Sequence, residues 1–88
     1  MDNTILLLKT GTTVLHEGGR TGLMFDGAAK FASNAFHEAL IEDLGKGGRT
    51  LAEITRDAAR YDNWNGNEAE TALAIASFIL EFEDYLEG

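Results

Sequence analysis

The chain of 88 residues contains no cysteine. That absence excludes disulfides, thiolate zinc sites, iron–sulfur clusters and a cysteine nucleophile together. Proline is also missing, so there is no proline-rich linker or ligand tract. Basic residues are few: 7 Lys and Arg stand against 15 Asp and Glu, a formal charge of −8. Nucleic-acid binding is largely phosphate neutralisation by Lys and Arg, and anionic membrane surfaces select the same residues. Neither partner is expected, and one carrying positive charge suits the chain better. Long apolar runs are lacking too. Ile5-Leu6-Leu7-Leu8 is too short to span a bilayer, follows Asp2 instead of a basic start, and precedes no small-residue cleavage site. The expectation is a soluble cytoplasmic protein.

What is present is ordinary globular composition, 44% hydrophobic and 25% charged, which argues against wholesale disorder. A chain this short buries roughly 63% of its extended surface on folding, enough for one core and one domain over residues 1–88. The first third reads as strands. Thr12–His16 is β-prone, Gly18-Gly19 supplies a turn, Thr21–Phe25 follows, and Asp26-Gly27 turns the chain into Ala28–Ala32. These predict a three-stranded antiparallel meander. Ile5–Lys9 either adds a separate strand or extends the first across Gly11, and the sequence leaves both open.

After Phe31 the period becomes helical. Ser33 or Asn34 caps a helix over about 34–44 presenting Phe36, Leu40 and Leu44, and Gly45-Lys46-Gly47-Gly48 stops it. Thr50 with Glu53 forms a capping box for a helix over about 51–61, with Leu51, Ile54, Ala58 and Tyr61 as its buried stripe. Asp62–Gly66 is a polar turn, and Asn67 with Glu70 opens a third helix over about 68–86. On it Ala72, Ile75, Phe78, Ile79, Phe82, Tyr85 and Leu86 cover roughly 140° of the wheel, while Leu73 and Leu80 lie nearly opposite. The expected fold is α+β: a small winged-helix-like domain with a three-stranded meander followed by three helices, the first two arranged as a helix-turn-helix.

No arrangement of catalytic or metal-ligating residues emerges. His37-Glu38 begins like a zincin motif, but Ile41 stands where the second histidine belongs, and a surface pair of His37 with Glu42 is the simpler expectation. Asp62-Asn63-Trp64-Asn65-Gly66 fails as a calcium loop, because aligning its glycine puts Tyr61 at the first ligand position and Ala72 at the twelfth. Gly45–Thr50 is glycine-rich and cationic but lacks the P-loop order, so it reads as a helix stop and restart. No Ser–His–acid triad can be assembled from spacing. Ala32-Ser33-Asn34 and Ala76-Ser77-Phe78 lack the Asp-Ser-Leu or Asp-Ser-Met setting of an acyl carrier. No enzyme, cofactor or metal is expected.

The linked set Asn34, Ala39-Leu40, Leu44, Gly48-Arg49-Thr50-Leu51-Ala52-Glu53-Ile54, Tyr61, Phe78-Ile79, Phe82 and Leu86 resembles the PqqD-like family of peptide chaperones, also called precursor-peptide recognition elements. The likeness runs from about Thr12 to Leu86, and departs from the family at Ser33, where leucine is usual. It implies a non-enzymatic module that captures the leader of a ribosomal precursor peptide and presents it to a modifying enzyme such as a radical SAM protein. The implied route is addition of the peptide as a strand to the third strand of the meander. Main-chain groups of Ala29, Lys30 and Phe31 would set register, Ala32 would complete the peptide-binding strand, and Ile75, Phe78, Ile79 and Phe82 would wall a trough for side chains. Two other classes compete: a homodimeric adaptor using Leu73 and Leu80 or an open edge, and a winged-helix DNA-binding regulator, which the absence of Lys and Arg from the third helix disfavours.

Overall fold

A computed structural model describes residues 4–61 and 64–87. Three strands, β2 (Thr13–Glu17), β3 (Arg20–Phe25) and β4 (Ala28–Phe31), form an antiparallel sheet in the order β2-β3-β4. The two hairpins turn on Gly18-Gly19 and Asp26-Gly27, all four with φ between 52° and 80°. Positive φ at both central positions matches the right-handed twist of the strands, which is why these dipeptides close the hairpins. The helices are α1 (Ala35–Leu44), α2 (Leu51–Asp57) and α3 (Glu68–Glu81), so the chain is an α+β domain. No helix among the described residues is long and apolar enough to cross a membrane. Of the expected polar turn at Asp62–Gly66, Asp62 and Asn63 lie outside the described residues.

The caps fall where the side-chain chemistry places them. Asn34 accepts the N–H of His37 at 2.9 Å. Thr50 with Glu53 and Asn67 with Glu70 form complete capping boxes, each cap contributing about 1 kcal/mol.

The segment at Ile5–Lys9 does not extend β2. Ile5–Leu6 is a separate strand, β1, paired antiparallel with a two-residue strand β5 (Arg49–Thr50) at the head of α2. Its continuation pairs with the C-terminal segment: Lys9 N–H donates to the Tyr85 carbonyl at 2.9 Å, Glu87 N–H donates to the Leu7 carbonyl at 2.7 Å, and Leu8 bridges Leu86. This pairing corrects the expected third helix. Residues 85–87 cannot serve residues 7–9 from within a helix, so α3 ends at Glu81, a single 3-10 turn follows at Glu83–Tyr85, and Leu86 is extended. The second helix is likewise shorter than expected, ending at Asp57 before a 3-10 turn at Ala58–Arg60. That turn brings the Tyr61 hydroxyl to Asp43, to which it donates at 2.6 Å.

The core lies between the sheet and the helices, centred on Leu23, Leu40, Ile41, Ile54, Phe78 and Phe82. A relay of edge-to-face and tilted rings threads it, from Trp64 to Phe36 (4.8 Å between centroids), His37 to Phe78 (5.4 Å), Phe78 to Phe82 (5.0 Å) and Phe82 to Tyr85 (5.9 Å).

Candidate functional site: the open edge of the sheet

β4 is an edge strand among the described residues, because β3 occupies one side only. Its register pairs Phe25 with Ala28 and Leu23 with Lys30, and the Ala32 N–H donates to the Thr21 carbonyl at 2.9 Å. Hydrogen-bonded pairs alternate along an antiparallel ladder. Ala28, Lys30 and Ala32 therefore direct their main-chain groups to β3, and Ala29 and Phe31 direct theirs outward. Of the four strand positions expected to bind a peptide, the ladder leaves the main chain of Ala29 and Phe31 at the open edge and uses that of Lys30 and Ala32. Ala32 is also buried, at 6% exposure.

The side chains around this edge carry charge. Lys30 crosses to α3, where its ammonium donates to the Glu81 carbonyl at 2.6 Å and stands 5.6 Å from the centre of the Phe82 ring. Phe31 points to the other face and carries the Arg20 guanidinium over its ring at 4.8 Å. Ser33 donates to Glu81 Oε2 at 3.1 Å. Where β4 turns away into α1, Glu38 Oε2 accepts the Thr21 N–H at 3.0 Å.

The expected trough wall is not open beside this strand: Phe82 lies under Lys30 but offers no exposed surface there. Phe78 and Phe82 are fully buried and Ile75 is 5% exposed, because the aromatic relay and the sheet close over them. Half-buried Ile79, with buried Ile75, lines a cavity of ≈ 290 Å³ against Leu51 and Thr55 of α2, on the flank of α3 away from Glu81 on the helical wheel. The side of α3 that meets β4 is marked instead by Glu81, bonded to Lys30 and Ser33. Sequence spacing has no signal for that junction, since its partners lie 51 and 48 residues apart.

The expected surface pair of His37 with Glu42 is not formed. Glu42 Oε1 accepts instead from His16 Nε2 at 2.8 Å. His37 is 1% exposed among the rings of Phe36, Phe78 and Phe82, its Nδ1 has no hydrogen-bond partner, and Glu81 Oε2 lies 3.8 Å from it. Burial pushes its pKa below the ordinary 6.5, with the Glu81 charge and a hydrogen bond to the Ala74 backbone opposing. The unfolded chain therefore takes up this proton first as pH falls. Stability at this site is expected to be intact above 6.5 and to decline as pH drops below it, by at most about 1.4 kcal/mol per pH unit. Urea denaturation across that interval reads the slope, and His37→Leu should flatten it; an unchanged slope in the variant would assign the effect elsewhere.

Among the described residues, no group of three or more His, Asp or Glu side chains is placed to hold a metal ion. Arg49 is held by Asp43 at 2.7 Å and Arg56 by Asp57 at 3.1 Å. The Tyr61 hydroxyl, buried against Asp43, has its pKa raised by desolvation and that hydrogen bond, and stays protonated. Comparison of the chain with family models, curated proteins and solved structures gives no match.

Proposed function

We propose that this chain is a non-enzymatic peptide-binding domain, of the PqqD-like kind, that takes an extended segment of a precursor peptide as an added strand on β4 and presents the rest to a modifying enzyme. The observation that carries the reading is the open β4 edge, with the main-chain donors and acceptors of Ala29 and Phe31 turned outward. Alternating outward groups on a short edge give an incoming strand both its register and part of its affinity. Lys30 and Arg20 flank the edge, engaged with Glu81 and Phe31, a use of cations that also guards an edge against unwanted pairing. The likeness of the capping and aromatic pattern to PqqD-like domains is the second support. Any chemistry on the peptide belongs, in this reading, to the partner enzyme.

Ala29→Pro tests the edge directly. Proline removes the outward N–H while sparing every bond to β3, and proline is tolerated on edge strands at such positions. The expected result is a nearly unchanged melting temperature and at least about a tenfold loss of affinity, one main-chain hydrogen bond plus the steric block of the ring. The readout is a ¹⁵N-HSQC titration with synthetic leader segments from short reading frames beside the gene. Shifts at residues 28–32 in the wild type that vanish in the variant support strand addition. Binding that the variant retains would remove it.

A further inference from the structure

α3 presents a second surface, which adjoins the β4 edge only at Glu81. Leu73 and Leu80 are 71% and 73% exposed, and Ala69 and Ala76, also exposed, complete a four-three-four spacing along the outer side of the helix. That spacing is the a/d seam by which one helix packs on another. The seam runs over Ala76 into the ≈ 290 Å³ cavity between α3 and α2, floored by Ala72, Ile75 and Ile79. Thus the apolar surface is a ridge with a groove at its side, and from Ala69 to Leu80 of α3 it extends over about 17 Å.

Charge decides what fits. Residues 68–87 carry Glu68, Glu70, Glu81, Glu83, Asp84 and Glu87 and no Lys or Arg. The one nearby cation on α2, Arg56, is bonded to Asp57. On α3 itself Glu68, Glu70 and Glu81 are the only charged residues, with Glu83 and Asp84 in the turn that follows, so a second copy packed seam to seam in either direction would bring together two helices that carry carboxylates and no cation, in molecules that each carry a charge of −8. Like charges across an interface disfavour that pairing, and complementary ones select a partner. We infer that the outer face of α3 docks an amphipathic helix of another protein, its apolar stripe bordered by Lys or Arg. This contact uses Leu73 and Leu80 and none of the outward main chain of Ala29 and Phe31, with Glu81 the residue that adjoins both, so the domain would hold a peptide and a protein partner on neighbouring surfaces.

The test uses two synthetic probes, amphipathic helices of roughly three heptads with Leu at the seam and either Lys or Glu at the flanking positions. With the Lys probe, HSQC shifts are expected across 69–80 and not at 28–32, with affinity dropping at least about tenfold from low to high salt. Leu73→Asp and Leu80→Asp should each abolish those shifts, and the milder Leu73→Ala/Leu80→Ala pair should weaken them; with both side chains exposed, the variant spectra should remain those of the folded domain. Equal binding of the Glu probe, no shift on α3 with the Lys probe, or shifts that survive both Asp variants would overturn the inference. So would a sedimentation mass that doubles with concentration in the wild type and not in Leu80→Asp, which would give the face to a second copy.

Discussion

Phe78→Ala is expected to unfold a large part of the population at physiological temperature. The ring is completely buried, 5.0 Å from Phe82 and 5.4 Å from His37 between centroids. Truncating a buried phenylalanine costs about 3–5 kcal/mol, from lost transfer energy and the cavity left behind. A chain of this length has a total stability of about 4–13 kcal/mol. The expected fall in melting temperature is on the order of 15–25 °C. This outcome separates two roles for the same residue. A groove wall would lose peptide affinity on truncation and keep its fold; a core ring loses the fold. Thermal denaturation followed by circular dichroism decides, with Leu80→Ala, 73% exposed, as a control expected to melt close to the wild type. A Phe78→Ala protein with a wild-type melting curve would return Phe78 to the surface.

That contrast shows where sequence was legible. The hairpins were readable because Gly18-Gly19 and Asp26-Gly27 carry their turn chemistry locally, and the helix starts because Thr50/Glu53 and Asn67/Glu70 satisfy each other within one turn. The apolar stripe of α3 was also readable as a stripe. Its division was not: helical periodicity says that Ile75, Phe78, Ile79 and Phe82 share a side, and only packing against the sheet and α2 says which of them meets solvent. The C-terminal error has a similar cause. Tyr85 and Leu86 fit the helical period, and it is the main chain of residues 7–9 that draws them out of it. His37 was misread because Glu42 sits within helical reach, whereas desolvated rings of α1 and α3 surround it in space. The candidate edge was legible as a strand. Which of its main-chain groups face outward follows from the register with β3, which a single strand's sequence does not contain.

Gly22→Ala is the substitution that joins the fold to the proposed site. Gly22 is buried in the middle of β3, paired with Leu15 on one side and Phe31 on the other. Its need for hydrogen is steric and unrelated to φ: a Cβ there would press on the Lys30 carbonyl oxygen and stand 2.9 Å from the Phe31 Cα. Those are backbone atoms, so no rotamer change relieves the contact, and β4 has to move away from β3. Overpacking of this kind costs about 1–3 kcal/mol. The displacement falls on the pairs Leu23–Lys30 and Gly22–Phe31, the ladder that fixes the direction of the Ala29 and Phe31 main chain. Hydrogen exchange should therefore quicken at Lys30 and Ala32 before it quickens in α1, and the affinity for a strand added to β4 should fall with it. Ala29→Pro is expected to lose affinity without this exchange signature, and Gly27→Ala, where an added Cβ meets no atom within 4 Å, should lose stability through its positive φ alone and leave the β3–β4 ladder in place. If Gly22→Ala kept wild-type protection at Lys30, the close approach of the two strands would not be what positions the edge, and the outward aim of Ala29 and Phe31 would need another cause.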